Sequence, residues 1–410
     1  MQSLKYWVWL ASVSGASAIT ANRLLSHFES PENVFSADEK QCRGVEELKL
    51  NKSFFLFKDR LSEADKILED CAKSGISVIT MHDGLYPERL RNIYDPPPVL
   101  YVKGRLPDID ESPVVAIVGT RNCTAYGIKA AESISSGLAE SGLIVSTGLA
   151  RGVDSAAVRG ALRGGGSVIG VVGSGLFVVY PPENRDLFDE VVRSGAIISE
   201  YPPRARVSKA YFPARNRIIS GVSVGVAVIE APKGSGALIT ASRALEQGRD
   251  VFSLPGNVDA RSCEGSNLLL REGAIAMLSA QDVISEYIDL FPDKITRAKP
   301  ANQKLRRGKA AEKECAVPSV SKPQRPVPDK KEIDNITEVE YIDFDEIIGA
   351  LEDDEKIVAE KIYADTVHID TIILQSGLTP QRVLTAITML EIKGYVVGSS
   401  GKFYSLANPS

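Results

Sequence analysis

Glycines with nearby cations and hydroxyl groups follow a series of short apolar runs in the middle of this sequence. Glycine leaves backbone N–H groups accessible, and N–H groups at the start of a helix attract negative charge. We therefore predict that these residues bind a ligand that carries phosphate. The residues concerned are Gly119, Thr120, Arg121, Gly148, Arg151, Gly173, Gly175, Ser235 and Gly236.

A second group of candidates combines cations with an aromatic ring over residues 209–217. We interpret this segment as a proline-stiffened loop beside the same ligand-binding edge. Its candidate residues are Lys209, Phe212, Arg215, Asn216 and Arg217. Cations for phosphates and a ring for base stacking are what a single nucleic-acid strand requires. A structural interpretation stays open, in which Phe212 lies in the core and an arginine pairs with Glu200 or Glu230.

Residues suited to catalysis or metal binding are few. The three histidines lie outside the glycine-rich region, so they cannot form a metal site or a triad there. The five cysteines are scattered and lack Cys-x-x-Cys spacing, which argues against structural zinc and a disulfide framework. The glycines do not match the dinucleotide fingerprint, because Val178 stands where Gly173-Ser-Gly175 would need its third glycine. They do not match the NTPase phosphate loop either, because Lys233 precedes its glycines instead of following them. We expect no catalytic residue, no metal and no cofactor.

The candidate residues must be positioned by the apolar runs that precede them. Helix-length segments, of which Tyr126–Ser141 is the first, alternate with these runs. Such alternation predicts an α/β fold with a Rossmann-like, doubly wound parallel sheet, whose ligands bind beyond the carboxyl ends of the strands. The runs cover 114–118, 143–147, 167–172, 196–199, 224–229 and 250–254.

The sequence before the core predicts a helical domain over residues 1–72. A glycine-containing turn within residues 13–25 resembles a helix-hairpin-helix, whose turn amides meet a DNA phosphate. The alternative is a small helical bundle used for packing or partner contact. Residues 73–111 contain three consecutive prolines before a short strand, so we expect this lead-in to brace the edge of the main sheet. The core then covers residues 73–290.

The sequence after the core predicts a linker and a winged-helix domain. Residues 291–344 are rich in proline and charge, which is typical of a disordered linker that is either a solvated tether or a basic arm for nucleic acid. Residues 345–410 regain apolar periodicity and end in two short strands, which is a winged-helix pattern. Its second helix, Gln381–Lys393, has only two cations. The sequence therefore fits two roles for this helix, the recognition of DNA and contact with another protein.

The bulk properties favour a soluble protein. The chain has 410 residues and a formal net charge of −5, so nucleic acid would have to bind at a local basic patch. No apolar stretch reaches the roughly 20 residues that a membrane-spanning helix needs. Together with the cysteine usage, this predicts a cytoplasmic protein without membrane association.

A series of short motifs runs through the core in a fixed order. These motifs are Gly119-Thr-Arg121, Ser146–Asp154, Gly173-Ser-Gly175, Tyr180-Pro181, Ser199-Glu200, Phe212–Arg217, Ser235–Thr240 and Leu254-Pro-Gly256. Their order and spacing resemble the DprA family, also called Smf, the DNA-processing protein A of bacterial transformation. The resemblance covers nearly the whole chain, from the helical start to the winged-helix end.

The resemblance implies a protein without enzymatic activity that binds single-stranded DNA in its core. It further implies protection of incoming DNA, homodimer formation and loading of a RecA-type recombinase in natural transformation. By position, Gly119, Thr120 and Arg121 would hold one phosphate. Lys209 would hold another phosphate, and Phe212 would stack on a base.

The competing interpretation is an enzyme, a Rossmann-like nucleotide phosphoribohydrolase, to which the loop Pro232–Gly236 is distantly similar. Those hydrolases have a catalytic glutamate after the loop, whereas Ala237–Thr240 supplies no carboxylate. Hydrolysis at a ribose would then lack its proton-transfer group. We therefore expect DNA binding without hydrolysis.

Overall fold

The computed structural model divides the chain into two compact units, Met1–Arg307 and Gly308–Ser410. The turn of the predicted helix-hairpin-helix and residues 297–344 of the predicted linker lie outside the residues that it describes. The described residues are 2–13, 18–45, 48, 60–296, 353–362, 367–392, 396–399 and 403–406.

A nine-stranded sheet with the order β1-β2-β6-β5-β4-β3-β7-β8-β9 forms the centre of the first unit. Strands β3 to β9 pair in parallel, whereas β1 and β2 pair antiparallel. The predicted Rossmann-like fold is confirmed, with an antiparallel addition at one edge. The strands are β1 Ile76–Thr80, β2 Val99–Gly104, β3 Val114–Val118, β4 Ile144–Thr147, β5 Val168–Val171, β6 Ala196–Ser199, β7 Gly225–Val228, β8 Asp250–Ser253 and β9 Ile275–Ala276.

The antiparallel addition comes from the lead-in before the core. Strand β2 lies beside β6 with Tyr101 opposite Ser199, and β1 pairs with the outer side of β2. The prediction that this segment braces the sheet edge is confirmed.

Helices pack against the sheet, and the predicted helix Tyr126–Ser141 is confirmed to within one residue at each end. Short 3-10 helices at Pro182–Asn184 and Arg261–Cys263 complete the unit. The helices are α1 Gln2–Ser12, α2 Ala18–Phe28, α3 Pro31–Ser36, α4 Glu39–Arg43, α5 Leu61–Lys73, α6 Glu88–Arg91, α7 Ala125–Glu140, α8 Val153–Arg163, α9 Arg185–Ser194, α10 Tyr211–Gly221, α11 Gly236–Glu246, α12 Glu264–Arg271 and α13 Ala280–Tyr287.

The central strands are buried on both faces. In β3, Val115 and Ile117 belong to one apolar layer, while Val114, Ala116 and Val118 belong to the other. A strand covered on both sides has no polar face, which explains the continuous apolar runs of the sequence.

The amino-terminal helices share a hydrophobic core with the sheet. Trp7 and Leu10 of α1 and Leu24 of α2 belong to the same buried cluster as Tyr101 of β2. Separating these helices from the sheet would therefore expose apolar side chains to water.

The segment that the sequence predicted as a proline-stiffened loop is the start of helix α10. Pro213 is the third residue of this helix, where a backbone N–H would have no acceptor within the helix. Proline is therefore tolerated there. The prediction of a loop was wrong because a proline in a first helical turn gives the same sequence signal as a proline in a loop.

The second unit is a winged helix, as predicted, although Lys393 lies outside the described residues. Its strands pair antiparallel in the order β10-β12-β11, and Ile372, Val383 and Leu390 share its apolar core. In neither unit do the described residues include a helix long and apolar enough to cross a membrane. The elements are α14 Asp353–Ile362, β10 Val367–His368, α15 Ile369–Ser376, α16 Pro380–Ile392, β11 Val396–Ser399 and β12 Phe403–Leu406.

Candidate functional site

The carboxyl ends of the parallel strands meet at one edge of the sheet. Gly119, Gly148 and Gly173 follow β3, β4 and β5 there. Helix α10 begins at the same edge, because a Cβ added to Gly173 would lie only 3.4 Å from Cδ1 of Phe212. The structure thus brings the glycine-rich loops and the start of α10 together.

The chain reverses its order across the sheet between β3 and β7, which is where Rossmann-like folds bind ligands. The two strand ends are joined, since the Thr120 N–H donates to the Glu230 carbonyl oxygen at 2.7 Å. The Glu230 side chain is buried and accepts bonds from the N–H and hydroxyl of Thr124 at 2.8 and 2.6 Å. Thr124 caps α7, so a carboxylate of the protein lies at the helix N-terminus that a pyrophosphate uses in dinucleotide-binding folds.

Arg121, Phe212 and Tyr180 form a row at this edge, which we call the aromatic row. The Arg121 guanidinium carbon lies 5.0 Å from the centroid of the Phe212 ring, and the Tyr180 ring centroid lies 5.7 Å from the same point. Arg121 and Tyr180 are exposed, whereas Phe212 is half-buried. Among the described residues, no carboxylate lies within ion-pairing distance of Arg121. Its positive charge is therefore available to a ligand.

The loop between β4 and α8 packs against the backbone of Thr120 and Arg121. Gly152 has a φ of 72°, and a Cβ added to it would lie 2.4 Å from the Thr120 carbonyl oxygen, so the position requires glycine. The neighbouring Arg151 is exposed and forms an ion pair with Glu183. This carboxylate raises the pKa of Arg151. Arg151 thus lies beside the aromatic row with its charge partly neutralised.

Arg215 points into the interior and is only 5% exposed. Its Nη1 donates to the carbonyl oxygen of Gly148 at 2.7 Å and to that of Val171. Burial lowers the pKa of Arg215 to about 10, an effect that the Asp154 carboxylate opposes. Burial also raises the pKa of Asp154, whose carboxylate accepts from the Ala150 N–H at 3.2 Å. The prediction that Arg215 faces DNA is corrected, because its guanidinium joins the ends of β4 and β5.

Arg217 is likewise buried, in an ion pair with two carboxylates. Its Nη2 lies 2.7 Å from Glu200 and its Nε lies 3.0 Å from Asp95. Burial acts to lower the pKa of Arg217, and the carboxylates reverse the effect, so the pKa is raised. The alternative in which an arginine pairs with Glu200 is confirmed for Arg217. Its predicted role at the DNA site is corrected for the same reason.

Asn216 and three of the glycines are also buried. The Asn216 amide donates to the Gly236 carbonyl oxygen at 3.2 Å, which joins α10 to α11. The Gly175 N–H donates to the Ala205 carbonyl oxygen at 2.8 Å, so this amide is committed within the protein. The predicted site residues that keep accessible surface are Gly119, Thr120, Arg121, Arg151, Lys209, Phe212, Ser235 and Gly236.

Family comparisons cover both units of the chain. A family model described as DNA recombination-mediator protein A matches residues 77–288. The chain belongs to this family. A second model, described as DprA winged helix domain, matches residues 345–402. The predicted DprA/Smf membership and the predicted winged helix are confirmed.

Relatives of this DprA-family chain include proteins from Synechocystis sp. and Streptococcus pneumoniae. Protein Smf of Synechocystis sp. is 40% identical over 286 residues, which are 68% of this chain and 71% of that protein. The DNA processing protein DprA of Streptococcus pneumoniae is 38% identical over 288 residues, which are 66% of this chain and 95% of that protein. The X-ray structure of DNA processing protein A from Streptococcus pneumoniae has a TM-score of 0.61 and 35% identity, and the match covers 69% of this chain and 97% of that one.

Two residues at the edge of this DprA-family core were not among the predicted site residues. Tyr180 extends the aromatic row, and Glu183 neutralises Arg151. An aromatic residue in the loop beyond a parallel strand is a signal that could have identified Tyr180. The role of Glu183 depends on a contact between two loops, which the spacing of residues does not reveal.

The winged-helix unit of this DprA-family chain presents a different surface. On α16, Arg382 is bonded to both carboxylate oxygens of Asp354, at 2.7 and 2.6 Å. The hydroxyls of Thr385 and Thr388 donate to carbonyl oxygens of the preceding helical turn. The polar groups of this helix are therefore largely engaged within the unit.

Proposed function

We propose that this protein binds single-stranded DNA at the carboxyl edge of its core and acts as a recombination mediator that loads a RecA-type recombinase in natural transformation. The observation that best supports DNA binding is the aromatic row, in which Arg121 adjoins Phe212 and Tyr180. Family membership supports the role in recombination. Protection of incoming DNA follows from the same binding.

The chemistry of the edge favours a single strand over a duplex. Stacking on an aromatic ring requires a base whose face is free, and the bases of a duplex stack on one another. Arg121 and Lys209 are exposed and can neutralise phosphates beside such a base. A strand with splayed bases could use the cations and the rings at once, whereas a duplex could use only the cations.

The proposed DNA contacts are the predicted residues that keep accessible surface. The Thr120 hydroxyl accepts a bond from the Asn122 N–H at 3.3 Å, which leaves its own hydrogen free to donate to a phosphate. Ser235 caps helix α11, and Gly236 begins it, so a second phosphate position lies at this N-terminus. Arg215, Asn216 and Arg217 are left out because they are buried.

The remaining elements of the proposal rest on the family and on the division of the chain. We propose a homodimer, in which two edges would hold one long strand with avidity. We also propose that the winged helix, residues 345–410, is an accessory module on a linker. The predicted start of this linker at residue 291 is corrected to residue 297, because Ile295 is buried in the core of the first unit and the Thr296 N–H donates to the Ser141 carbonyl oxygen at 3.0 Å. A role without catalysis belongs to the same proposal: of the carboxylates near the edge, those of Glu230 and Asp154 are buried, and that of Glu183 is bonded to Arg151.

The proposed function is tested by comparing single-stranded and duplex DNA. Fluorescence anisotropy with a labelled oligothymidine and a duplex of equal length, across a salt series, should give tighter binding of the single strand at every salt concentration. The logarithm of the single-strand affinity should fall with the logarithm of salt with a slope of about −0.7 for each phosphate contact. Equal affinity for the two DNAs at matched salt would contradict the proposal.

Two controls on the same sample test the other parts. Light scattering of the full chain should give the mass of a dimer. A monomer that still binds DNA would contradict the proposed dimer but not the proposed DNA binding. Incubation with nucleoside monophosphates, followed by chromatography, should release no free base. Release of free base would support the alternative function, a nucleotide phosphoribohydrolase.

A further inference from the structure

The loop between β5 and α9 presents two aromatic rings to the outside of the edge. Phe177 and Tyr180 are 37% and 42% exposed, while Leu176 between them and β5 is 2% exposed. Two backbone hydrogen bonds fix the loop, from the Phe177 N–H to the Pro203 carbonyl oxygen and from the Val178 N–H to the Gly175 carbonyl oxygen, each 2.9 Å long. The backbone at the start of this loop is therefore held in place before any ligand arrives.

Tyr180 is more accessible than Phe212, the ring that the sequence identified. Phe212 packs against Gly173, and the guanidinium of Arg121 lies over its ring. A base that stacked on the face of Phe212 beneath this guanidinium would have to displace it. Tyr180 adjoins Phe212 with an interplanar angle of 42°, and it needs no such rearrangement.

The rings of Phe212 and Tyr180 have a cation on each side. Arg121 adjoins Phe212, and Arg151 is bonded to Glu183, which lies three residues after Tyr180 in the same loop. The order along the edge is thus cation, ring, ring, cation. Successive phosphates of a strand flank each base, so a base on either ring would have a cation near a neighbouring phosphate.

We propose that Tyr180 is a base-stacking platform of the DNA site and that Arg151 holds a phosphate next to the stacked base. The inference rests on the proposed binding of single-stranded DNA. Arg151 exchanges its bond to Glu183 for the phosphate, and the exchange is easy because both side chains of this ion pair are half-exposed or more, at 62% and 50%. A second base can then stack on Tyr180, beside the base that stacks on Phe212.

The experiment uses the full chain with three substitutions at Tyr180. Single-stranded DNA should bind Tyr180→Ala and Tyr180→Leu roughly 5- to 150-fold more weakly, because base–aromatic stacking is lost in both. Tyr180→Phe keeps a flat ring and should bind within about twofold of the parent. Tyr94→Ala removes a ring that is 80% exposed and that has no ring or cation contact among the described residues, so its DNA affinity should not change.

An oligothymidine with the fluorescent base 2-aminopurine at successive positions gives a second readout. Its emission is quenched by stacking, so at least one position should lose quenching in Tyr180→Ala and regain it in Tyr180→Phe. If Tyr180→Leu binds like the parent, or if quenching is the same in all variants, the stacking role of Tyr180 is wrong while DNA binding stands. If the parent itself does not bind single-stranded DNA, the proposed function fails instead.

Discussion

The carboxyl edge of the core and helix α16 of the winged helix both present an exposed arginine, yet the two arginines have different neighbours. Arg121 lies over an aromatic ring and, among the described residues, has no carboxylate partner. Arg382 is held by both carboxylate oxygens of Asp354. A count of exposed arginines would not distinguish the two regions, but of these two arginines only Arg382 is bonded to a carboxylate among the described residues.

The neighbours of each arginine matter as much as its pairing. Around Arg121 lie a second ring, a second cation and glycine-rich loops. The helix that carries Arg382 also exposes Gln381 and the apolar side chains of Leu384 and Met389, which are 47% and 40% exposed. A nucleic-acid site needs several contacts to act together, because each phosphate contact contributes little alone. An apolar, neutral helix face is more typical of protein contact.

The interior offers the extreme case of an arginine that is neutralised by its own chain. Arg217 is 4% exposed and is held by Glu200 and Asp95, so no ligand can compete for it. These three cases order the arginines by availability to DNA: Arg121 first, Arg382 second and Arg217 last.

The largest effect is expected for Arg217→Ala, on stability. Removing one partner of a buried ion pair leaves uncompensated charge and costs about 3–5 kcal/mol. Urea unfolding followed by the emission of Trp7 and Trp9, which are buried in the same unit, measures this loss.

The matched control for Arg217→Ala is Arg204→Ala. Arg204 also bonds a carboxylate twice, that of Asp70 at 2.6 and 3.0 Å, but its side chain is 73% exposed. The exposed pair should contribute far less to stability, since solvent screens it. Equal losses for the two variants would show that burial is not what makes Arg217 structural.

The next effect is expected for Arg121→Ala and Lys209→Ala, on DNA affinity. Each should weaken binding of single-stranded DNA by roughly tenfold, because a hydrogen bond to a charged group is lost. Each should also reduce the steepness of the salt dependence by about 0.7. Arg193→Ala, at the far end of α9, is the control and should leave both quantities unchanged. An unchanged salt slope in the edge variants would mean that these cations do not meet phosphate.

The sequence predicted the fold well because the fold depends on local patterns. Strands covered on both faces must be apolar throughout, and a strand such as β3 therefore stands out between glycines. The strand that braces the sheet edge was also predicted, since three prolines before β2 force an extended chain, but its antiparallel direction was not. Helix α10 was missed because Pro213 was interpreted as part of a loop.

The site was less predictable because burial depends on residues distant in sequence. Arg121 and Arg217 both lie near glycines, prolines or aromatics, and nothing local distinguishes them. What separates them is the two carboxylates at Arg217, Glu200 and Asp95, the second of which the lead-in supplies. Glu200 was identified as a candidate partner, whereas the contribution of Asp95 requires the antiparallel addition to the sheet.

The smallest effect is expected for the winged helix. Arg382→Ala should leave the affinity for single-stranded DNA and its salt slope unchanged, and so should a chain that ends at Arg307, the boundary of the first unit. A shorter piece such as residues 112–290 is a poor substitute, because it would lose β2 and expose the buried faces of Val99 and Tyr101.

A second variant of the winged helix keeps Arg382 and removes its carboxylate partner. Asp354→Asn leaves Arg382 without its ion pair, and a free cation on a DNA-facing helix would steepen the salt slope by about 0.7, one phosphate contact. We expect a smaller change, because Arg382 is the single cation among the described residues of α16, so no second cation of this helix can bind a neighbouring phosphate. The same anisotropy titration measures it. If Asp354→Asn steepens the salt slope by a full phosphate contact and Arg382→Ala lowers DNA affinity, the ion pair alone would be what keeps Arg382 from binding phosphate. The availability of an arginine to DNA would then depend on its counter-ion more than on the neighbouring side chains. The ion pair of Arg151 with Glu183 would in that case be expected to limit the binding of phosphate by Arg151.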